Sequence, residues 1–374
     1  MTSSFQRRRL ASRLALKGFA MTVLEKRDRI DVGILGATGM VGQEFVVRLE
    51  SHPWFNLVWL GASERSEGRH YSASAQWRLP VERPVAVDNL LVDSASPVGA
   101  PRVVFSGLDS SVAGKVEKEF AEAGHIVVSN AKNFRMDDDV PLVVPEVNPD
   151  HLDLLTHQAA HRGWPGRIVT NPNCSTIVLV MALAPLRKFG LRSVNVTTLQ
   201  AVSGAGYPGV SSFDIVGNVV PFIDGEEEKI ETETKKIFGC LRGDHVVPHP
   251  VTVSAHTTRV AVTNGHTEMI SVGFEEPPLE SEILKAFKEF SGRPQADGLP
   301  GAPCHAVEYL HESNRPQPRL DVDRGKGMTV SVGRLRRCSV LDYKFVALGH
   351  NTVRGAAGAA VLNAELMMVD GILD

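Results

Sequence analysis

The chain opens with short apolar runs separated by a helical pattern. Residues 30–35 form a mostly apolar run that is typical of a strand buried in a parallel sheet. A glycine-rich turn follows at 36–42, then a helical pattern at 43–50 and a second apolar run at 57–62. This order of strand, glycine turn, helix and strand predicts a βαβ unit at the start of the fold.

The same alternation continues through the first 150 residues and then changes character. Residues 103–107 and 125–129 predict strands on either side of a helix at 111–123. After Asp150 the predicted strands become longer and alternate apolar with polar positions, as at 192–201 and 255–262, which favours a largely antiparallel sheet. The Ala-rich segment 354–368 predicts a helix that returns to the first domain.

These patterns predict an α/β protein of two domains. A Rossmann-type dinucleotide-binding domain spans 30–170 and is completed by 350–374, and an α+β catalytic and dimerisation domain spans 171–349. The length of 374 residues also favours two domains. Residues 1–29 are expected to be a disordered extension.

Composition excludes several classes of protein. The apolar fraction of 43% and charged fraction of 22% suit a globular protein, and a net charge of −3 argues against nucleic-acid binding. The four cysteines are far apart, without a C-x-x-C pair, which suits a reducing compartment and predicts no metal site. The longest apolar run is too short to span a membrane.

The first two dozen residues contain five basic residues and no acidic residue before Glu25. Such a segment resembles an organellar transit peptide. The alternative is that translation begins at Met21 or that the segment is idle, and we favour this alternative and a cytoplasmic location. Met21 lies nine residues before the first predicted strand.

The glycine turn is the candidate phosphate cradle. Glycines allow a close backbone approach, and the N-terminus of the following helix favours a pyrophosphate. The end of the second strand selects the dinucleotide: Ser63, Arg65 and Ser66 can donate to a 2′-phosphate, so NADP is preferred. Glu64 could instead bind a ribose hydroxyl and leaves NAD open. The turn contributes Gly36, Thr38, Gly39, Met40, Val41 and Gly42 as candidate cofactor-binding residues.

A lone cysteine is the candidate nucleophile. Cys174 follows an Asn-Pro-Asn turn and precedes an apolar run, so it lies at the start of a predicted helix. The dipole of a helix N-terminus stabilises a thiolate and lowers the pKa of a thiol there. The alternative is a buried cysteine that acts only as a small apolar side chain.

Several polar clusters have no obvious packing role. Residues 200–206 close a strand with a flexible glycine turn, and Arg259 and His266 end and follow another strand. An acidic–basic run at 226–229 opens a helix, and a polar cluster spans 129–135.

Together these motifs resemble aspartate-semialdehyde dehydrogenase, most closely the branch found in archaea, fungi and some bacteria. The resemblance extends from Ile30 to the C-terminus. It rests on the glycine turn, residues 171–174 and 200–206, the spacing from Arg259 to His266, and residues 350–354.

The resemblance implies an NADPH-dependent reduction of aspartyl 4-phosphate to aspartate 4-semialdehyde and phosphate, a step in lysine, threonine, methionine and isoleucine biosynthesis. The resemblance also implies a cysteine thioester as the intermediate. It further implies that the protein forms dimers or tetramers that pair through the second domain. Cys174 matches the nucleophile and His266 the acid/base. Further matches are Arg259 for the substrate carboxylate, Glu226 for its ammonium group, Lys229 and Arg135 for the phosphate, Asn173 for the oxyanion, Gln200 for the acyl group, and Ser203, Gly204 and Asn351 beside the nicotinamide.

Alternatives to these assignments stay open. His266 could be a turn residue, Arg259 a surface ion-pair partner, and residues 226–229 a solvated helix face. Another acyl reductase, such as malonyl-CoA reductase or N-acetylglutamyl-phosphate reductase, would share the fold. A protein that binds NADP without catalysing a reaction is a third possibility.

Overall fold

The computed structural model of the chain describes residues 29–373. The basic leader and Met21 lie outside this part. No helix within residues 29–373 is long and apolar enough to cross a membrane.

The first sheet is wholly parallel, with the strand order β3-β2-β1-β4-β5-β6. This is the order of a doubly wound dinucleotide-binding fold and confirms the predicted Rossmann-type domain. Its strands are β1 (Ile30–Leu35), β2 (Phe55–Ala62), β3 (Val92–Ser94), β4 (Val103–Ser106), β5 (Ile126–Ser129) and β6 (Arg167–Thr170).

Helices cover both faces of this sheet. Phe45 of the first helix is fully buried against one face, and Phe120 of the third is fully buried against the other. The first helix begins at Met40, three residues before the predicted start, so part of the glycine turn belongs to it. The helices are α1 (Met40–Leu49), α2 (Tyr71–Ser74), α3 (Ser110–Glu122) and α4 (Leu155–Arg162).

The second sheet is mixed, with the order β10-β7-β11-β14-β13-β12. Its three inner pairs are antiparallel, as predicted, whereas the outer pairs β10–β7 and β12–β13 are parallel. The strands are β7 (Leu191–Gln200), β10 (Thr252–Arg259), β11 (His266–Phe274), β12 (Val307–Leu310), β13 (Val330–Arg337) and β14 (Tyr343–Gly349), with a separate hairpin of β8 (Cys240–Arg242) and β9 (His245–Val247).

One helix of this part is almost wholly enclosed. Residues 175–183 of the fifth helix are all buried, because they pack beneath the second sheet within its core. The helices are α5 (Cys174–Leu183), α6 (Ser212–Ile215), α7 (Glu226–Ile237), α8 (Glu280–Glu289), α9 (Arg293–Asp297), α10 (Pro318–Asp321) and α11 (Gly358–Val369). Short 3₁₀ turns lie at Val85–Val87, Pro149–Leu154, Ala184–Phe189, Val202–Ala205 and Arg324–Gly327, and a π-helical turn lies at Val353–Ala357.

The last helix packs against the first sheet. Leu362 and Leu366 are fully buried in the core that also contains Val32 and Phe105 of the central strands. The chain therefore leaves the first sheet for the second and returns to the first with its last helix.

Candidate active site

Three strands of the second sheet place polar residues at one edge. Gln200 ends β7 and is the ladder partner of Arg259, which ends the parallel strand β10. His266 begins β11, which runs antiparallel to β7 and so starts at the same edge. Cys174 begins α5 beneath this edge. Four residues that are far apart in the sequence are thereby brought together.

Cys174 and His266 are in direct contact. The Sγ atom lies 3.2 Å from Nε2 of the imidazole. The backbone N–H of Ala201 donates to Nδ1 over 3.1 Å. Because Nδ1 is an acceptor, the neutral imidazole has its proton on Nε2, directed at the sulfur.

The electrostatics of this pair differ from the sequence prediction. Burial and the Glu226 carboxylate raise the pKa of the Cys174 thiol to about 12, although the residue keeps some solvent exposure. Burial and the Arg259 charge lower the pKa of His266 to about 3. The predicted lowering of the thiol pKa is therefore wrong, and both groups are neutral near pH 7.

Asn173 holds the turn in front of the nucleophile. Its side-chain oxygen accepts from the N–H groups of Ser175 and Thr176 over 3.0 and 3.2 Å, which caps α5. Its side-chain nitrogen donates to both carboxylate oxygens of Glu226, at 3.0 and 2.9 Å. Both ends of the amide thus contact protein groups in this structure.

Glu226 is the centre of a buried polar cluster on the first turn of α7. Lys229 donates to its Oε1 over 2.7 Å, and Gln200 lies 3.3 Å from its Oε2. Burial opposes ionisation, but the Lys229 ammonium and the hydrogen bonds lower the pKa of Glu226 overall. The interpretation of 226–229 as a solvated face is wrong for Glu226, which is 7% exposed.

Arg259 lies deep in the same site. Its Nη1 donates to the carbonyl oxygen of Ala201 over 2.7 Å, and the residue is 7% exposed. A Cβ atom on Gly204 would lie 2.7 Å from Nη1 of Arg259 and 3.1 Å from Cε1 of His266. The glycine turn therefore approaches the two polar groups closely because residue 204 has no side chain.

Ser203 and Asn351 form a second layer beside this turn. Asn351 donates to Oγ of Ser203 over 2.8 Å, and its side-chain oxygen accepts from the N–H of Gly265 over 2.8 Å. Asn351 therefore connects the 200–206 turn with the turn that precedes His266.

Arg135 reaches the cluster through a residue that the sequence analysis missed. Its Nη1 donates over 2.9 Å to Glu233, whose other oxygen accepts from the backbone N–H of Asn173 over 2.7 Å. Glu233 lies seven positions after Glu226 on α7. That spacing places both residues on one helix face, and it was the signal in the sequence from which Glu233 could have been identified. Lys132 and Asn133, which belong to the same polar cluster at 129–135 as the buried Arg135, are exposed.

The glycine turn of the first sheet has the form of a pyrophosphate cradle. Gly36 has a φ of 77°, which favours glycine, and a Cβ on Gly42 would lie 2.2 Å from the oxygen of Gly36. Gly39 precedes α1 and is exposed, with no side chain capping the helix. The residues present therefore fit a dinucleotide phosphate at this N-terminus.

The remaining predicted cofactor residues surround this cradle. Thr38, Met40 and Val41 are partly exposed around the start of α1. Directly after β2, Ser63 and Arg65 are exposed and Ser66 is partly buried. These three lie at the carboxyl end of a sheet strand, where such folds bind the ribose.

Two family models match this chain. Residues 31–155 match the NAD-binding domain of semialdehyde dehydrogenases, and residues 183–354 match their dimerisation domain. An aspartate-semialdehyde dehydrogenase of Archaeoglobus fulgidus is 49% identical over 346 residues, which covers 92% of this chain and 100% of that protein.

Fungal proteins are similarly close. An aspartate-semialdehyde dehydrogenase of Cryptococcus neoformans is 48% identical over 365 residues, covering 94% of this chain and 100% of that protein. The crystal structure of a Candida albicans aspartate-semialdehyde dehydrogenase with NADP superposes with a TM-score of 0.85, at 46% identity over 92% of this chain and 99% of that chain.

Proposed function

Because this chain belongs to the aspartate-semialdehyde dehydrogenase family, we propose that it acts through a thioester on Cys174. The enzyme reduces aspartyl 4-phosphate with NADPH to aspartate 4-semialdehyde and phosphate, a step of amino-acid biosynthesis. The contact of 3.2 Å between the Cys174 sulfur and His266 carries the mechanistic proposal.

In the first half-reaction the sulfur attacks the acyl carbon. The S–C bond forms, the C–O bond to phosphate breaks, and its electron pair leaves with the phosphate. The thiol proton leaves with the phosphate, so atoms and charge balance in a step that begins with a neutral thiol. We assign to His266 the acid role at the sulfur, because its Nε2–H is directed at Sγ within hydrogen-bond distance. The backbone N–H of Cys174, at the start of α5, is the proposed donor to the oxyanion.

In the second half-reaction the thioester is reduced. Bound NADPH supplies the hydride. The resulting thiohemiacetal oxyanion collapses to the aldehyde and the S–C bond breaks with its electron pair on the sulfur. His266 then passes its Nε2 proton to the sulfur and regains a proton from solvent. The Nε2–H of this residue stabilises the sulfur as it leaves.

The charges around the sulfur complement an aspartyl phosphate. Arg259 can bind the α-carboxylate in a bidentate manner, and Glu226 can accept from the α-ammonium group. Lys229 and Arg135 supply positive charge for the phosphate. Gln200, whose amide lies beside Glu226, is proposed to orient the acyl group.

We propose further features of organisation. Residues 30–170 with 350–374 form the nucleotide-binding domain, and 171–349 form the catalytic domain. Ser63, Arg65 and Ser66 select NADP over NAD through the 2′-phosphate. Ser203, Gly204 and Asn351 lie against the nicotinamide. The match to a dimerisation domain supports a homo-oligomer, which we propose is a dimer or tetramer, and the four free cysteines support a cytoplasmic location.

The thioester is tested by trapping. Wild-type enzyme is mixed with aspartyl phosphate without NADPH, quenched in acid, and digested for mass spectrometry. We expect one aspartyl group on the peptide that contains Cys174, and NADPH added before the quench should remove it. Cys174→Ser should lose turnover and retain NADP affinity, and Cys304→Ser, at an exposed cysteine, is the matched control.

Three results would contradict the proposals. The mechanism is wrong if Cys174→Ser keeps wild-type turnover or if the adduct is on another residue. The substrate assignment is wrong if malonyl-CoA or N-acetylglutamyl phosphate is reduced with a higher kcat/KM than aspartyl phosphate.

A further inference from the structure

We propose that Glu233 is a positioning residue that couples the phosphate-binding arginine to the nucleophile. Its carboxylate joins Arg135 to the turn that carries Cys174. This proposal rests on the function proposed above for Arg135 and Cys174. It assigns a role to a residue that need not touch the substrate.

The two carboxylate oxygens of Glu233 have different partners. Oε1 accepts from Nη1 of Arg135 over 2.9 Å, and Oε2 accepts from the backbone N–H of Asn173 over 2.7 Å. Glu233 is 2% exposed, so neither bond competes with bulk water. A buried carboxylate bound to a guanidinium and an amide forms strong, charge-assisted hydrogen bonds.

Both partners of Glu233 are otherwise immobilised. Nη2 of Arg135 donates to the carbonyl oxygen of Asn130 over 2.7 Å. The side chain of Asn173 caps α5 and binds Glu226, seven residues before Glu233 on the same helix. Helix α7 therefore holds Asn173 at two points, its side chain and its backbone. A displacement of the Arg135 guanidinium is therefore transmitted to Asn173, the residue before Cys174, through the carboxylate of Glu233.

Lys236 provides a second attachment between α7 and the Arg135 loop. Its Nζ donates to the carbonyl oxygens of Arg135, Asp137 and Val140 over 2.8, 2.7 and 2.9 Å. An ammonium group has three donors, so all are used. Lys236 follows Glu233 by three positions and thus faces the same way. Three hydrogen bonds therefore attach the loop at 135–140 to α7.

The positioning role is distinct from simple charge neutralisation. If Glu233 only neutralises Arg135, its loss affects phosphate binding alone. If it also fixes Asn173, its loss changes the nucleophile turn even without phosphate. The two effects are measured separately.

The test compares Glu233→Gln with Glu228→Gln, which removes the same charge from an exposed position of the same helix. Glutamine can accept from only one partner and presents an N–H to the other, which repels it. Turnover is measured with aspartate semialdehyde, NADP and varied phosphate. Hydrogen exchange of the peptide 171–176 is measured by mass spectrometry without ligands, and inorganic phosphate binding by calorimetry.

For Glu233→Gln we expect a phosphate KM raised at least about tenfold and a kcat lowered at least about tenfold, as the loss of charged hydrogen bonds predicts. Peptide 171–176 should exchange at least about tenfold faster. NADP affinity should be unchanged, and Glu228→Gln should stay within about twofold of wild type in every measurement.

Three outcomes would overturn the proposal: unchanged exchange at 171–176, unchanged phosphate affinity, or a matching loss of NADP affinity, which indicates general destabilisation. If Glu233→Gln does not fold, Glu233→Asp replaces it. Its carboxylate is one methylene shorter, so it should keep only one of the two hydrogen bonds, to Arg135 or to the N–H of Asn173. Either the phosphate affinity or the exchange at 171–176 should therefore change, and the proposal is overturned if both stay as in wild type. If wild-type enzyme shows no phosphate-dependent NADP reduction, the proposed function fails, while calorimetry and exchange still decide the role of Glu233.

Discussion

The protonation state of the resting nucleophile can be tested by pH. In this structure a neutral imidazole donates from Nε2 toward the Cys174 sulfur, and its Nδ1 is occupied by the N–H of Ala201. A thiolate–imidazolium pair would need a proton on Nδ1, where the amide of Ala201 points. We therefore expect Cys174 to be a thiol throughout the neutral range before substrate binds.

The size of the effect follows from the two pKa values. A pKa of about 12 for Cys174 leaves roughly one molecule in 10⁵ as thiolate at pH 7, and this fraction rises about tenfold for each pH unit. Since only the thiolate reacts, alkylation should accelerate by about a thousandfold between pH 6 and pH 9. An ion pair with imidazolium would instead give a nearly constant rate over this range.

The assay is alkylation by iodoacetamide, a neutral reagent, followed at each cysteine by peptide mass spectrometry. Cys304, which is exposed, is the reference thiol within the same molecule, and the reaction contains neither NADP nor substrate. The interpretation is refuted if the rate at Cys174 is independent of pH between 6 and 9. A plateau reached below pH 7 would refute it equally.

Three further predictions concern the surroundings of the site. Arg354 forms a fully buried bidentate pair with Glu146, at 2.7 and 2.6 Å; Arg354→Met should cost about 3–5 kcal/mol in urea unfolding, and adding Glu146→Leu should restore most of it. Burial raises the pKa of Glu117 to about 7, above its unfolded value, so the contribution of Glu117 to the free energy of unfolding is fully present below about pH 4.5 and is lost as pH rises through 7. The free energy of unfolding of Glu117→Gln, relative to that of wild type, should therefore rise by up to about 3 kcal/mol from pH 5 to pH 8. An equal difference at both pH values would contradict this. A Cβ on Gly355 would lie 2.7 Å from that of Cys174, so Gly355→Ala should lower kcat about a hundredfold with NADP affinity retained, and a kcat within twofold of wild type would count against it.

The sequence was sufficient for the fold where local patterns carry the information. Apolar runs with glycine punctuation located β1, β2, β4 and β5, and their parallel pairing follows from the helices between them. The parallel pairing of β10 with β7 was not predicted, because it depends on the path of residues 201–251 between them, which has no simple period.

The site shows a similar division between local and distant determinants. Motif residues such as Cys174 and His266 were found individually, and the structure brings them into contact. The thiol pKa was mispredicted because the helix dipole is worth at most about 2 kcal/mol, or roughly 1.5 pH units. Burial and the Glu226 carboxylate outweigh this, since together they raise the pKa of Cys174 from 9.0 to about 12, and both are properties of the folded surroundings.

The Asn-Pro-Asn turn explains why two sheets produce one site. The side-chain nitrogen of Asn171 donates to Oδ1 of Asn130, which follows β5, and to the carbonyl oxygen of Ala356, which precedes α11. Asn173, two residues later, binds Glu226 and Glu233 of α7. One asparagine thus fixes the turn to the nucleotide-binding sheet and the other to the helix beside the second sheet. Because Cys174 follows directly, its position depends on both sheets, and a substitution at either asparagine should alter catalysis through geometry.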